Sequence, residues 1–133
     1  MEPSLDGEEY SHPVGTKWYR APELLFGARQ YGPAIDLWAV GTVMGELASL
    51  YPLFPGQNDM DQLSRVLQVL GTPTFESWPA VKELPDYHKV AFPDMPAQDL
   101  GRVFPRVPRK GLNLLKCLLS LDPIGRPLSL IHI

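Results

Sequence analysis

Proline placement limits where this chain can form helices. Proline fixes φ and lacks a backbone N–H, so it is tolerated in the first turn of a helix and disrupts its interior. The chain has 15 prolines in 133 residues, and they divide it into short segments. Pro33 is predicted to start a helix that runs to Leu50, and Pro22 to start one helical turn that ends at Gly27.

Two further helices are predicted from capping and apolar spacing. Asn58 is a good N-cap, and the residues from Asp59 to Leu70 carry one apolar stripe that ends at Gly71. The other of the two is expected to run from Lys110 to Leu121. The helix from Pro33 to Leu50 is apolar on nearly every face, which predicts a central helix buried all round. The fold class is therefore mainly α.

A proline-rich insert separates the second and third of these long helices. It spans residues 71–108, 38 residues with seven prolines, and no regular element is predicted in it. A loop this long has a function or is packed down by its own apolar groups. The candidate anchors are large and apolar: Trp78, Leu84, Tyr87, Phe92, Leu100 and Phe104.

Charge and cysteine content exclude several classes of function. The net charge of −3 removes a global electrostatic case for binding nucleic acid or an anionic membrane. The single cysteine, Cys117, excludes a disulfide framework within the chain. No apolar run approaches the length of a membrane-spanning helix. Four cations, at positions 102, 106, 109 and 110, are predicted to form a solvated edge.

An ordered set of motifs gives the chain its resemblance. They are Trp18-Tyr-Arg-Ala-Pro-Glu23, Asp36-Leu-Trp-Ala-Val-Gly41, Pro52-Leu-Phe-Pro-Gly56 and Leu121-Asp-Pro-Ile-Gly-Arg126. In this order and spacing they resemble eukaryotic protein kinases of the cyclin-dependent group, in which Ala-Pro-Glu closes the activation segment. The stretches 23–31, 45–47 and 83–87 look most like the cell-cycle-related kinase branch of that group.

The resemblance implies a truncated C-terminal lobe of the kinase fold. Residues 1–127 would be a partial kinase domain, and Leu128-Ser-Leu-Ile-His-Ile133 is expected to be a non-native tail that matches one reading frame of a sequencing adapter. The family binds ATP and Mg²⁺ through G-x-G-x-x-G, V-A-I-K, H-R-D and D-F-G motifs. None of these occurs in the sequence. We therefore expect the chain to bind no cofactor and to be inactive alone.

Four residues would serve the substrate side of such a kinase. The resemblance places the activating phosphate on Ser11, and an ordinary loop hydroxyl is the alternative. It places the pocket for the residue after the phosphorylated Ser/Thr at Val14 and Gly15, and Arg20 would hold this loop. In the family that pocket accepts proline, which has no N–H, so the resemblance implies Ser/Thr-Pro substrates.

Four more residues would support the catalytic machinery or the lobe. Thr16 would hydrogen-bond the catalytic aspartate and lysine of the family, and Asp36 would tie down the catalytic loop. The alternative for Asp36 is an N-terminal carboxylate favoured by the helix dipole. Glu23 and Arg126 match a buried ion pair that closes the lower lobe.

The function implied by the resemblance is part of a proline-directed serine/threonine kinase of cell-cycle type. Its partners would be protein substrates and a cyclin or other activator contacted through missing segments, with neither nucleic acid nor membrane, in the cytoplasm or nucleus. Two alternatives stay open. One is a short non-catalytic isoform that acts as a protein-interaction module, and the other is an unrelated all-α adaptor.

Overall fold

The chain forms five α-helices and three short 3₁₀ turns in the residues that the structure, a computed structural model, describes. These are residues 17–29 and 32–126. The helices are α1 (Pro22–Leu25), α2 (Pro33–Ser49), α3 (Asp59–Leu70), α4 (Leu100–Val103) and α5 (Arg109–Leu118). The 3₁₀ turns are Val81–Glu83, Tyr87–Lys89 and Pro123–Gly125. This part of the chain contains no strand, which confirms the predicted mainly α class.

Glycines allow neighbouring elements to approach α2 closely. A Cβ on Gly41 would lie 2.8 Å from the Cβ of Leu118 on α5, and one on Gly45 would lie 2.5 Å from a methyl carbon of Leu53. The opposite side of α2 is open, because Val40 is 49% exposed and Leu47 is 73% exposed. The prediction that α2 is buried all round is therefore wrong for that side.

The predicted bounds of α3 are confirmed, and local signals account for them. The Asn58 side chain accepts a hydrogen bond from the Asp61 N–H at 2.8 Å. At the other end Gly71 has φ = 90° and donates its N–H to the Leu67 carbonyl. The buried apolar stripe is Leu63, Val66 and Leu67.

The proline-rich insert packs against the helices and is less irregular than predicted. Trp78, Leu100 and Phe104 are buried as expected, and Leu84, Tyr87 and Phe92 are half-buried against the same core. The Trp78 ring meets Phe26 edge-on, with ring centroids 5.8 Å apart. The insert also contains α4, which the apolar spacing did not reveal because it is a single turn capped by Asp99.

Helix α5 differs from its prediction at both ends. It begins at Arg109, one residue early, and ends at Leu118 rather than at Leu121. The apolar stripe continues past the helix, since Leu119 and Leu121 are also buried. Apolar spacing therefore located the buried face correctly but overstated the length of the helix.

Candidate functional site

A closed ring of three hydrogen bonds holds the segment that leads into α1. The Trp18 indole N–H donates to the Gly56 carbonyl at 2.9 Å, and the Gly56 N–H donates to Gln62 Oε1 at 2.9 Å. The Gln62 side-chain amide then donates to the Trp18 carbonyl at 3.3 Å. Gln62 is fully buried, so losing one of its partners would leave a costly unsatisfied group. The ring fixes this segment against α3.

Glycine is required at position 56 for this ring to close. A Cβ there would lie 2.5 Å from the Cα of Gln62 and 2.6 Å from its backbone nitrogen. Because both contacts are with backbone atoms of Gln62, a side chain at position 56 could be accommodated only if the loop moved away from α3. Gly56 therefore determines how closely the loop between α2 and α3 approaches.

Tyr19 connects the same segment to α2. Its hydroxyl donates a hydrogen bond to Glu46 Oε1 at 2.7 Å. That bond, burial and the negative charge of Glu46 each raise the pKa of Tyr19 above its ordinary value of 10.0. The phenol thus stays protonated and keeps donating through the neutral pH range.

Two cations of this segment meet one carboxylate at the start of α3. Arg20 Nη1 lies 3.9 Å from Asp59 Oδ1, and Lys17 Nζ lies 3.5 Å from the same oxygen. All three side chains are partly exposed, so each pair contributes little stability. The carboxylate is also favoured by its position in the first turn of the helix. Residues 17–20 are thus in contact with α2, α3 and the loop between them.

The structure brings Glu23 and Arg126 together as a buried, two-bond ion pair. Arg126 Nη1 and Nη2 donate to the two Glu23 carboxylate oxygens at 2.8 and 2.9 Å. The other donors of Arg126 bond to three backbone carbonyls, those of Ser120, Ala34 and Leu121, at 2.9–3.2 Å. All five N–H donors of the guanidinium are used, and its side chain is 0% exposed.

Trp38 covers the same guanidinium with its aromatic face. The Arg126 Cζ lies 5.1 Å from the centre of the Trp38 ring, which is within cation–π range. Trp38 is itself fully buried and stacks on Phe54. The ion pair joins α1 to the turn after α5, and Trp38 adds α2 to the same junction.

The remaining predicted site residues lie apart from this junction or outside the described residues. Asp36 is exposed in the first turn of α2. Ser11, Val14, Gly15 and Thr16 fall outside the described residues. Sequence reasoning gave no role to four residues that hold the 17–20 segment, namely Tyr19, Glu46, Gly56 and Gln62. Their contacts join residues 6 to 44 positions apart, and helical spacing carries no signal of such pairs.

Metal and membrane sites are not indicated by the described part of the chain. Residues 17–29 and 32–126 contain no cluster of three or more His, Cys, Asp or Glu side chains that could hold a metal ion. None of the described helices combines the length and apolarity that crossing a membrane requires.

Comparison with known proteins identifies the family. The model described as "Protein kinase domain" matches residues 3–130. The chain is 51% identical to Cyclin-dependent kinase 20 of Rattus norvegicus over 90% of its length, and of Homo sapiens over 92%. It is 53% identical to that of Danio rerio over 92% of its length. The chain spans 35–37% of these relatives.

These matches agree with what the motifs implied. They confirm the resemblance to the cyclin-dependent kinases, and the helical structure agrees with a truncated C-terminal lobe of that fold. The chain belongs to the protein kinase domain family.

Proposed function

We propose that this chain is the C-terminal-lobe portion of a proline-directed serine/threonine kinase that transfers the γ-phosphate of ATP to protein. The observation that carries the proposal is the set of contacts that fix residues 17–20 against the rest of the lobe. Trp18, Tyr19 and Arg20 each contact a different part of the lobe. Substrate selection requires groups that are held in fixed positions, and the segment that contains Arg20, the proposed loop-holding residue, is held in this way.

The site residues take their roles from this proposal. Ser11 is the activating phosphoacceptor, Val14 and Gly15 form the pocket for the substrate proline, and Arg20 holds that loop. Thr16 and Asp36 support the catalytic loop of the longer protein. The Glu23–Arg126 pair is the structural closure of the lobe.

The cofactor proposal concerns ATP and Mg²⁺, which the longer protein would bind. Phosphoryl transfer needs groups that cradle the phosphates and hold the metal, and the sequence of this chain contains none of the family motifs for them. We propose that the chain alone is inactive and binds no nucleotide. We also propose a cytoplasmic or nuclear protein, with a cyclin or other activator as partner and no nucleic-acid or membrane role.

The test compares substrates that differ at one position. A longer protein that contains this chain should phosphorylate Ser-Pro peptides faster than otherwise identical Ser-Ala peptides. Its Ser11→Ala variant should lose activation, whereas Ser4→Ala, a matched hydroxyl deletion seven positions away, should keep it. Equal rates on the two peptides would contradict proline direction.

A second candidate function is a short non-catalytic isoform that binds other proteins. The observation that favours it is an open concavity of about 350 Å³ between α3 and the insert, lined by Met60, Leu63 and Val90 among others. Met60 is 51% exposed there. Upstream transcript sequence separates the two. A continuous frame through the D-F-G and H-R-D motifs supports the kinase, and an in-frame stop just before Met1 supports the isoform.

A further inference from the structure

A polar side chain lies on the buried face of α3. Gln62 and Val66 are one helical turn apart, and both are 0% exposed. The other buried residues of this helix, Leu63 and Leu67, are apolar. Burying an amide among apolar groups costs free energy unless its donor and acceptor are bonded. A methionine or leucine at position 62 would be buried without that cost, so packing alone does not account for glutamine.

The Gln62 amide bonds to the backbone of two distant segments. Its Oε1 accepts from the Gly56 N–H at 2.9 Å, and its Nε2 donates to the Trp18 carbonyl at 3.3 Å. Because both partners are backbone groups, the amide determines where the two segments lie and is insensitive to their side chains. The ring is made only by described residues of this chain, so its geometry does not depend on segments outside it.

A second contact with the same segment comes from the same side of α3. Asp59 lies three residues before Gln62, and residues with this spacing are neighbours on a helix surface. Its carboxylate lies 3.5 Å from Lys17 Nζ and 3.9 Å from Arg20 Nη1. The Asp59 side chain is 55% exposed, so these pairs are weak and screened by salt. Gln62 supplies the buried, directional contact between them.

A buried polar group whose bonds are all made favours one arrangement of its partners. Trp18 follows Gly15 by three residues, so the covalent chain keeps the Cα atoms of these two residues within about 11 Å of each other. A small displacement of the backbone at Trp18 can therefore reach the proline pocket proposed at Val14 and Gly15. Selection of a substrate is sensitive to displacements of this kind, since a shift of about 1 Å can cost a large factor in rate.

We propose that Gln62 is a positioning residue for proline selection. It holds the backbone at Trp18 and, through the chain, the pocket at Val14 and Gly15. This role rests on the proposed function, because it concerns the same substrate pocket. Gln62 acts through Trp18 and does not contact the substrate itself.

The test is Gln62→Met in a longer protein that contains this chain. Methionine has a similar length and packs among apolar residues, but it leaves the Trp18 carbonyl and the Gly56 N–H without their partner. The measured quantity is kcat/KM for a Ser-Pro peptide divided by kcat/KM for the matched Ser-Ala peptide. We expect this ratio to fall by about fivefold, the fold-change that corresponds to one hydrogen bond. The KM for ATP should not change.

The ratio separates positioning from a purely structural role. Loss of folded protein lowers the rate on both peptides by the same factor, so it cancels in the ratio. The matched control is Gln68→Met, the same substitution at an exposed position of the same helix, where the amide lies 3.4 Å from Ser64 Oγ. It should keep the ratio within about twofold, as surface substitutions usually do.

A second variant keeps the proposal testable if Gln62→Met does not fold. Trp18→Phe retains an aromatic ring and the Gln62 amide, and it removes only the indole bond to the Gly56 carbonyl. It should lower the ratio in the same direction. Circular dichroism verifies that each variant is folded.

The outcomes distinguish this proposal from the proposed function. Equal rates of the unmodified protein on the two peptides would contradict the proposed function, and the role of Gln62 with it. A clear preference for Ser-Pro that folded Gln62→Met retains would overturn the role of Gln62 alone. The same conclusion follows if Gln62→Met slows both peptides equally, or if Gln68→Met lowers the ratio as much as Gln62→Met does.

Discussion

Arg126 and Arg106 show two opposite uses of the same residue type. Arg126 is completely buried, and its five donors bond to one carboxylate and three carbonyls. Arg106 is exposed at the edge of an apolar groove between the C-terminal end of α2 and the loop that joins α4 to α5, in a stretch without any carboxylate. A guanidinium can be buried only when its charge and its donors are all satisfied. Where they are not, it stays in solvent.

The difference shows which parts of the chain carry its stability. At the Arg126 junction α1, α2 and the turn after α5 share one buried pair, so each element depends on the others. At the groove Ala48, Leu50, Pro105 and Arg106 are exposed, although Phe104 between them is buried in the core. Variants at the junction should therefore change stability more than a variant of an exposed residue such as Arg106.

The largest expected effect comes from removing the guanidinium at the junction. Arg126→Ala should destabilise the chain by about 3–5 kcal/mol, because it leaves the Glu23 carboxylate buried without its partner. Urea denaturation followed by circular dichroism measures this.

The matched control is Arg106→Ala, which should change stability by less than about 0.5 kcal/mol, as surface substitutions usually do. Arg126→Lys sharpens the comparison, since it keeps the charge but loses the planar fork, and it should also be clearly destabilised. Similar values for Arg126→Ala and Arg106→Ala would show that the buried pair does not stabilise the lobe.

An intermediate effect is expected where the backbone is packed too closely for a side chain. Gly56→Ala should destabilise the chain by about 1–3 kcal/mol, as overpacking does, because the new Cβ would meet the backbone of Gln62. Gly101→Ala is the matched control, since its nearest contact is a side-chain oxygen of Asp99 at 3.3 Å rather than backbone, and it should be destabilised less than Gly56→Ala. If both variants unfold at the same urea concentration, the ring around Gln62 is not a rigid contact.

The smallest effect is expected at the half-buried hydroxyl of Tyr19. Tyr19→Phe should cost about 1 kcal/mol near neutral pH, the usual worth of a hydrogen bond. Since the folded-state pKa of Tyr19 is raised above 10.0, this stabilisation is present below about pH 10 and is lost as the pH rises through the folded-state pKa. The difference in unfolding free energy between wild type and variant should therefore shrink at strongly alkaline pH. A difference that stays constant across that range would contradict the hydrogen bond to Glu46.

Local signals in the sequence were sufficient for much of the helical structure. Asn58 and Gly71 bound α3 because capping depends on neighbours a few residues away. The single-turn α4 and the true end of α5 were not predictable in this way. Leu100 lies inside α4 and Leu119 lies just after α5, yet both are buried. An apolar residue at a buried position therefore does not show whether the backbone around it is helical.

The candidate site was only partly predictable. Glu23 and Arg126 were paired from the family resemblance, and the structure places them in contact across 103 residues of sequence. Gln62 and Tyr19 carry no such signal, because their partners lie 44 and 27 residues away. The cations near Arg106 were predicted to form a solvated edge, and the groove beside them was not predicted. Its shape depends on α2 and the α4–α5 loop lying side by side.

The sequence by itself determined the family of this chain, the starts of α2 and α3 and the residues able to form a buried ion pair. These follow from motifs and from interactions within a few residues. Only the tertiary structure decided which side of α2 is covered, that Gln62 closes a ring with Trp18 and Gly56, and that an apolar groove opens beside the basic start of α5. The physical reason is that burial and hydrogen bonding between distant segments depend on how the helices pack, and helical spacing describes one helix at a time.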